Sequence, residues 1–319
     1  MASRQQILVL RGGAIGDFVL TLPVLSALRA HYGSARVAVL GRPHIVPLAQ
    51  AGNLAEEIRS IEDRRLTGFF IRNGPLDPEW VAFFSRSDLV VSYLYDPEGI
   101  FRENLRRCSQ ARIIEGPHRP DASQPVHATD VYLQPLRALG ILDADPVPRL
   151  SIRSEGPPRA GGPQATRRSL ALHLGSGSQR KNWPEAKWAE LIGRLLEETD
   201  RHLLLVGGEA EGDRVKRLAA GRPQARVEPA EHLPLVELAR RLSVCVALVG
   251  HDSGISHLGA ALGLPGIALW GDSAEAVWQP RSDRWLVLRD PRGLPALPVS
   301  RVLAAVTGLL RQGPASRPQ

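Results

Sequence analysis

The chain is poor in cysteine and lysine, and it lacks any long apolar run. Only two of its 319 residues are cysteine, Cys108 and Cys245. They lie far apart, and neither has a second cysteine or a nearby histidine at metal-ligand spacing. Neither a disulfide scaffold nor a zinc site is expected, and a reducing compartment is the simpler setting. No stretch approaches the roughly 18 uninterrupted apolar residues of a membrane span. The opening segment, MASRQQILVLRGGAIGD, has too short an apolar run for a secretory signal. The expectation is a cytoplasmic protein, at most peripheral at the inner membrane. Lysine numbers 3 against 37 arginines. A GC-rich coding bias accounts for such a ratio, yet it draws attention to each lysine.

Acidic residues are also outnumbered, 33 against 40 basic ones, for a formal charge of +7. Such a balance raises the question of nucleic acid or an anionic membrane. Residues 1–150 hold 17 basic and 16 acidic side chains, so nearly all the excess falls in 151–319. There Arg153, Arg159, Arg167 and Arg168 face only Glu155 within 151–169, and Arg301, Arg311 and Arg317 follow the last acid, Asp290. That pattern belongs to a linker and a tail rather than to a basic stripe on a folded face, and no nucleic-acid partner is expected.

With 43% hydrophobic residues, the length suits two domains that each bury a core. Short β-rich runs alternate with helical patterns in both halves, as βαβ units on a parallel sheet require. The first half gives strands at Ile7–Leu10, Arg36–Leu40, Leu89–Tyr93 and Arg112–Ile114. The rhythm breaks between Asp145 and Arg168, where Pro146, Pro148, Pro157, Pro158, Gly161, Gly162 and Pro163 crowd together. It resumes with strands at Ser169–Leu174, Leu203–Val206, Cys245–Val249, Gly266–Trp270 and Trp285–Leu288. Trp188, Leu191, Ile192, Leu195 and Leu196 recur at helical spacing, with Pro184 suited to that helix's first position. Further helices are expected at Glu209–Ala219, Leu235–Leu242 and Ser256–Leu262. The organisation read from this is a Rossmann-like domain at 1–150, a linker at 151–168 and a second Rossmann-like domain at 169–298. A terminal helix at 299–311, packing back on the first domain, and a disordered tail at 312–319 complete it. Ligands of such doubly wound parallel sheets bind beyond the strand C-termini, so the two domains are expected to face a common cleft.

Familiar site signatures are missing. Gly12, Gly13 and Gly16 do not have the spacing of a dinucleotide fingerprint, and the second strand ends in Leu40-Gly41-Arg42, without the acid expected for the ribose of NAD. No G-K-[ST] and no G-x-S-x-G occurs where a P-loop or a nucleophile elbow would need it. What remains after the first strand is a tight turn that places Asp17 at a helix N-terminus, where it also reads as an ordinary first-turn acid. The second half opens with a strand and then His173-Leu174-Gly175-Ser176-Gly177-Ser178-Gln179-Arg180-Lys181-Asn182-Trp183-Pro184. Small residues admit a phosphate to backbone N–H groups, Ser176 and Ser178 add hydroxyls, and Arg180 and Lys181 add charge. A third strand end runs into Gly250-His251-Asp252-Ser253-Gly254-Ile255-Ser256-His257, where Ser253 and the first-turn N–H groups form an anion site and His257 lies one turn on. Asp252 and Ser253 would serve equally as helix caps. Trp270-Gly271-Asp272-Ser273 is expected to wall the same pocket. Glu209 is placed for a ribose or adenine contact. Phe69-Phe70 and Phe83-Phe84, with Arg64, Arg65 and Arg72, offer either core packing or a membrane-facing patch.

The combination of R-G-G-A-I-G-D with K-N-W-P and G-H-D-S-G-I-S-H-L-G-A-A-L-G-L-P resembles glycosyltransferase family 9, the ADP-heptose:lipopolysaccharide heptosyltransferases. The resemblance spans nearly the whole chain. It implies an α/β GT-B fold and an inverting, metal-independent transfer from ADP-heptose, or another nucleotide sugar, to a lipid-linked glycan acceptor. No cofactor and a monomer are expected. On this resemblance Asp17 is the general base and Lys181 the diphosphate-binding lysine. Arg11, Gly12, Gly13 and Gly16 lie on the acceptor side; Ser176, Gly177, Ser178, Arg180, Glu209, Asp252, Ser253, Gly254 and His257 lie on the donor side. His173-Leu174-Gly175 stands where many members have H-P-G, His251 replaces a frequent Asn, and Gly177 lacks a hydroxyl some members carry. A different GT-B transferase, a sugar-nucleotide epimerase and a non-catalytic nucleotide-sugar binder remain the alternatives.

Overall fold

A computed structural model describes residues 4–152, 169–208, 211 and 213–311. Most of the expected linker, the expected tail 312–319 and Glu209 lie outside the described residues. The chain divides into two compact units, Met1–Pro148 and Arg149–Gln319.

In the first unit, β1 (Gln6–Arg11) is followed by α1 (Ile15–Val19), α2 (Leu22–His31), β2 (Arg36–Gly41), α3 (Pro47–Ala51) and β3 (Glu57–Ser60). Then come α4 (Pro78–Ser85), β4 (Leu89–Ser92), α5 (Ile100–Arg106), β5 (Arg112–Glu115) and α6 (Ala128–Leu133). All strand pairings are parallel, in the order β3-β2-β1-β4-β5. Strand β1 sits at the centre and buries Ile7, Leu8, Val9 and Leu10 in succession. An unbroken apolar run is what a strand covered on both faces requires.

Helix α4 shows how the local sequence feeds this core. Asp77 caps it by accepting from the Glu79 and Trp80 N–H groups, and Pro78 occupies the first turn, where no N–H is needed. The helix then turns Trp80, Phe83 and Phe84 onto Phe69 and Phe101. Three of the four phenylalanines considered for a membrane patch are therefore core; only Phe70 is exposed, beside Ile71.

The second unit contains β6 (Ser169–His173), α7 (Glu185–Glu198), β7 (His202–Gly207), α8 (Arg214–Ala219), β8 (Val227–Glu231) and α9 (Leu235–Ser243). It continues with β9 (Ala247–His251), α10 (Gly254–Ala261), β10 (Gly266–Leu269), α11 (Glu275–Trp278), β11 (Trp285–Leu288) and α12 (Val299–Arg311). Its six strands are parallel, in the order β11-β10-β9-β6-β7-β8. Helix α7 buries Trp188, Leu191, Ile192 and Leu195, the predicted stripe, while Pro184 stands just before the helix rather than within it.

Three features depart from the sequence reading. Strands β3 and β8 were not foreseen: both are sheet edges, where Glu57-Ile58-Arg59-Ser60 and Val227-Glu228-Pro229-Ala230-Glu231 carry no apolar run. An edge also tolerates the missing N–H of Pro229. Cys245 belongs to the turn after α9, not to β9. Finally, the apolar face of α12 belongs to the core of the second unit itself. Val299, Val302, Leu303 and Val306 enter the second unit's core beside Trp188 and Leu191.

Each sheet reverses its winding once, between β1 and β4 in the first and between β6 and β9 in the second. Neighbouring strands there send their following loops in opposite directions, which opens a crevice at their C-terminal ends.

Candidate active site

In the first unit the crevice receives the loop after β1. Gly13 has φ +89°, and a Cβ there would lie 2.7 Å from Asp17 Oδ2, so the turn needs glycine for both conformation and space. The carboxylate folds back over it, and Oδ2 accepts the Ala14 N–H at 3.0 Å. Asp17 is thus the first-turn acid that its spacing predicts, yet its side chain keeps 26% exposure.

Beneath it lies Arg11, 2% exposed. Its Nη2 is 3.6 Å from Asp17 Oδ1, while Nε and Nη2 both donate to the Asp17 carbonyl. Nη1 donates to the His118 carbonyl at 2.8 Å. The guanidinium lies 4.4 Å from the Tyr132 ring centre and 5.8 Å from that of Tyr93. Aromatic faces stabilise a desolvated cation of this shape. Tyr93 in turn donates its hydroxyl to the Tyr132 carbonyl, and burial pushes the Tyr132 phenol up to about 12. Arg11, expected on the acceptor side, is buried beneath Asp17 and holds both its carboxylate and its carbonyl. Gly12 lies in the turn and Gly16 in the first turn of α1.

The second crevice holds the loop after β6. Its floor is neutral. His251 is fully buried, with Nε2 accepting the Trp183 N–H at 2.9 Å and Nδ1 facing the Gly175 carbonyl at 3.0 Å. The first contact makes Nε2 the acceptor, so Nδ1 carries the proton and donates. One imidazole thereby ties both ends of the 175–183 loop to β9. Burial lowers His251 to about 3 and His173 to about 4, so both rings are uncharged at neutral pH. His173 Nδ1 lies 3.3 Å from the Ser253 hydroxyl. Trp183 and Trp188 pack edge to face below the loop, and Trp188 meets His251 in the same way.

Above the floor, the Lys181 ammonium is paired with Asp252 Oδ2 at 2.6 Å; the lysine side chain is 42% exposed and the aspartate 9%. The Ser176 hydroxyl is engaged within the loop, with the Ser178 carbonyl at 2.8 Å and Asn182 Oδ1 at 2.7 Å, so it shapes the turn rather than pointing freely outward. Gly177, with φ +75°, Ser178 and Arg180 form the exposed rim. Ser253 precedes α10, Gly254 opens it, and His257 is buried in its second turn rather than presented at the rim. Trp270 is also buried, its indole N–H donating to the Ser273 carbonyl.

Glu211 is a candidate the sequence reading missed. Its Oε2 accepts the Gly208 N–H at 2.7 Å, and its buried Oε1 has no protein partner among the described residues. A Cβ on Gly175 would collide with this carboxylate. The acid therefore sits where the loops after β6 and β7 meet, two residues beyond the glutamate that its place after the strand suggested. Among the described residues no three His, Cys, Asp or Glu side chains come together as a metal site, and no helix is long and apolar enough to cross a membrane.

The family model for glycosyltransferase family 9 (heptosyltransferase) matches residues 118–297. Lipopolysaccharide heptosyltransferase 1 of Pseudomonas aeruginosa is 43% identical over 91 residues, which cover 28% of this chain and 25% of that protein. The same-named protein of Escherichia coli K12 is 38% identical over 112 residues, covering 35% of this chain and 34% of its own length. The matched regions thus span about a quarter to a third of these curated relatives. Among solved structures, a family 9 glycosyl transferase from Veillonella parvula aligns over 98% of this chain and 99% of its own, with a TM-score of 0.77 at 19% identity. An E. coli heptosyltransferase solved with ADP aligns over 96% and 100%, with a TM-score of 0.75 at 21% identity. The fold is α/β of the GT-B class, with two doubly wound parallel-sheet domains. By the extent of the family match, the chain belongs to glycosyltransferase family 9, the heptosyltransferase family.

Proposed function

We propose that the chain transfers a heptosyl group from ADP-heptose to a lipopolysaccharide core acceptor, with inversion and without a metal ion. The observation that carries this reading is the Lys181 loop: a cation held over a floor of neutral imidazoles, beside the first turn of α10. Such a floor adds no competing charge, so a diphosphate meets Lys181, Arg180 and backbone N–H groups as its positive partners. In the unliganded chain Asp252 holds Lys181; an arriving diphosphate shares the ammonium with it. Glu211 Oε1 is an acceptor available to ribose hydroxyls at the same strand ends.

In the transfer, the acceptor hydroxyl oxygen attacks the anomeric carbon and its proton passes to Asp17. The bond from that carbon to the diphosphate breaks, and its electron pair leaves with ADP, where Lys181 and the α10 N-terminus stabilise the charge. An aspartate is a weak base, so proton transfer comes late, once the attacking oxygen has become acidic. Peripheral contact with a lipid-bearing acceptor would rest on exposed Phe70 and Ile71. Bulk charge contributes little there, because Arg65 pairs with Asp63 and Glu79, and Arg72 with Glu98.

Thermal-shift screening of ADP-, GDP- and UDP-sugars tests the donor assignment. ADP-heptose should give the largest stabilisation, as a ligand that binds only the folded state must. A clear preference for a guanine or uracil donor would overturn the heptose reading.

A further inference from the structure

With Asp17 as the proposed base, the transfer also needs a surface that holds the attacking sugar. The first-unit crevice lies at the C-terminal ends of β1 and β4, which pair with Leu10 opposite Ser92. The chain leaving β4 passes through buried Tyr93 and then presents Tyr95, 71% exposed. The Tyr95 ring packs edge-on against His118, with centroids 4.6 Å apart and planes at 61°. His118, exposed in the loop after β5, is the residue whose carbonyl takes the Arg11 Nη1 donor. The opposite end of that guanidinium faces Asp17. One buried cation therefore holds both Asp17 and the backbone of His118, against whose ring Tyr95 packs.

A solitary exposed tyrosine needs no explanation. An exposed tyrosine paired with an exposed histidine, at a topological switch point and tied through one guanidinium to a carboxylate, is a different arrangement. We propose that Tyr95 and His118 form the platform for the acceptor sugar. The C–H-rich face of a pyranose ring stacks on Tyr95, the His118 ring and the tyrosine hydroxyl serve ring hydroxyls, and the attacking hydroxyl is directed toward Asp17. The ligand class is a neutral or acidic pyranose at the end of a glycan. This assignment rests on the glycosyl-transfer reading, and it makes Tyr95 a binding residue for the acceptor with no part in donor binding.

The test uses the full chain and, as probe, deacylated heptose-free lipopolysaccharide oligosaccharide, with binding followed by saturation-transfer NMR and titration. Tyr95→Ala should weaken oligosaccharide binding roughly tenfold, while Tyr95→Phe stays within about twofold. ADP affinity and melting temperature should not move in either variant, since the side chain is exposed. Tyr95→Ala with wild-type oligosaccharide affinity would overturn the platform, and so would a wild type that does not bind this oligosaccharide at all. Failure of the underlying reading is separable: a wild type that neither binds ADP nor consumes ADP-heptose refutes glycosyl transfer. Oligosaccharide binding lost only on removal of the Tyr95 ring would still support the platform.

Discussion

Each crevice carries an ion pair, and the two pairs are built with opposite polarity. After β1 the buried partner is the cation Arg11, at 2% exposure, and the anion Asp17 is offered outward at 26%. After β6 and β9 the buried partner is the anion Asp252, at 9%, and the cation Lys181 is offered outward at 42%. The supports differ accordingly. Arg11 is held by two tyrosine rings and backbone carbonyls, groups that suit a desolvated cation. The Lys181 loop is held by the neutral ring of His251, which leaves exposed Lys181 and Arg180 as the local positive charges. An exposed carboxylate can take a proton from an attacking hydroxyl, and an exposed ammonium can meet a departing diphosphate. Two related doubly wound sheets thus differ in which charge is sunk into the protein and which is offered outward, and the proposed displacement would use one at each end.

The largest expected effect of breaking this contrast is at the buried cation. Arg11→Met should destabilise the first unit by about 3–5 kcal/mol, because it strands carbonyls and removes the buried partner of an ion pair. Urea unfolding measures this, and a loss under 1 kcal/mol would mean the cation is dispensable there. Next comes the neutral floor of the other crevice. His251→Ala leaves the Gly175 carbonyl and the Trp183 N–H without partners, at a cost of about 2–4 kcal/mol. His251→Asn, which can still donate and accept, should recover part of it. Lys181→Met should lower kcat/KM for the donor about tenfold to hundredfold, equivalent to about 1.4–2.8 kcal/mol. Its cost in stability should be no more than about 1 kcal/mol, the reverse of the Arg11 pattern.

The last effect is graded with pH rather than set by a single substitution. His251 and His173 are held near 3 and 4 in the folded chain, below the ordinary 6.5. The unfolded chain therefore binds protons that the folded one does not as pH falls below 6.5. The stability they confer is present above 6.5 and is lost toward pH 4, at about 1.4 kcal/mol per pH unit for each ring. Denaturation series at pH 7, 6, 5 and 4 would show this, and His251→Asn should make the decline shallower. An unchanged slope would mean that His251 is charged in the folded state.

Much of this contrast was legible in the sequence, though unevenly. Central strands such as β1 and β6 announce themselves because burial on both faces demands consecutive apolar residues. The edge strands β3 and β8 escape, since an edge pairs on one side only and admits charge and proline. Asp17, Lys181 and Asp252 could be singled out as candidates because each lies in a segment rich in small residues that follows a strand. Their supports were not, because Arg11 meets Tyr93, His118 and Tyr132 across three separate loops and helices, contacts that no local spacing encodes. Glu211 shows the same limit over a short distance: an acid was expected after β7, but only the approach of Gly175 shows that this one faces the strand ends.

The central claim is that the outward carboxylate is the base and the outward ammonium belongs to the donor. It is tested most directly by transfer itself. Wild type and Asp17→Asn would each be incubated with ADP-heptose and heptose-free lipopolysaccharide, the product followed by mass spectrometry and ADP binding by calorimetry. The expected result is addition of one heptosyl unit by the wild type, a fall of about 10²–10⁴ in rate for Asp17→Asn, and nearly equal ADP affinity for both. A variant that turns over at close to the wild-type rate would contradict it.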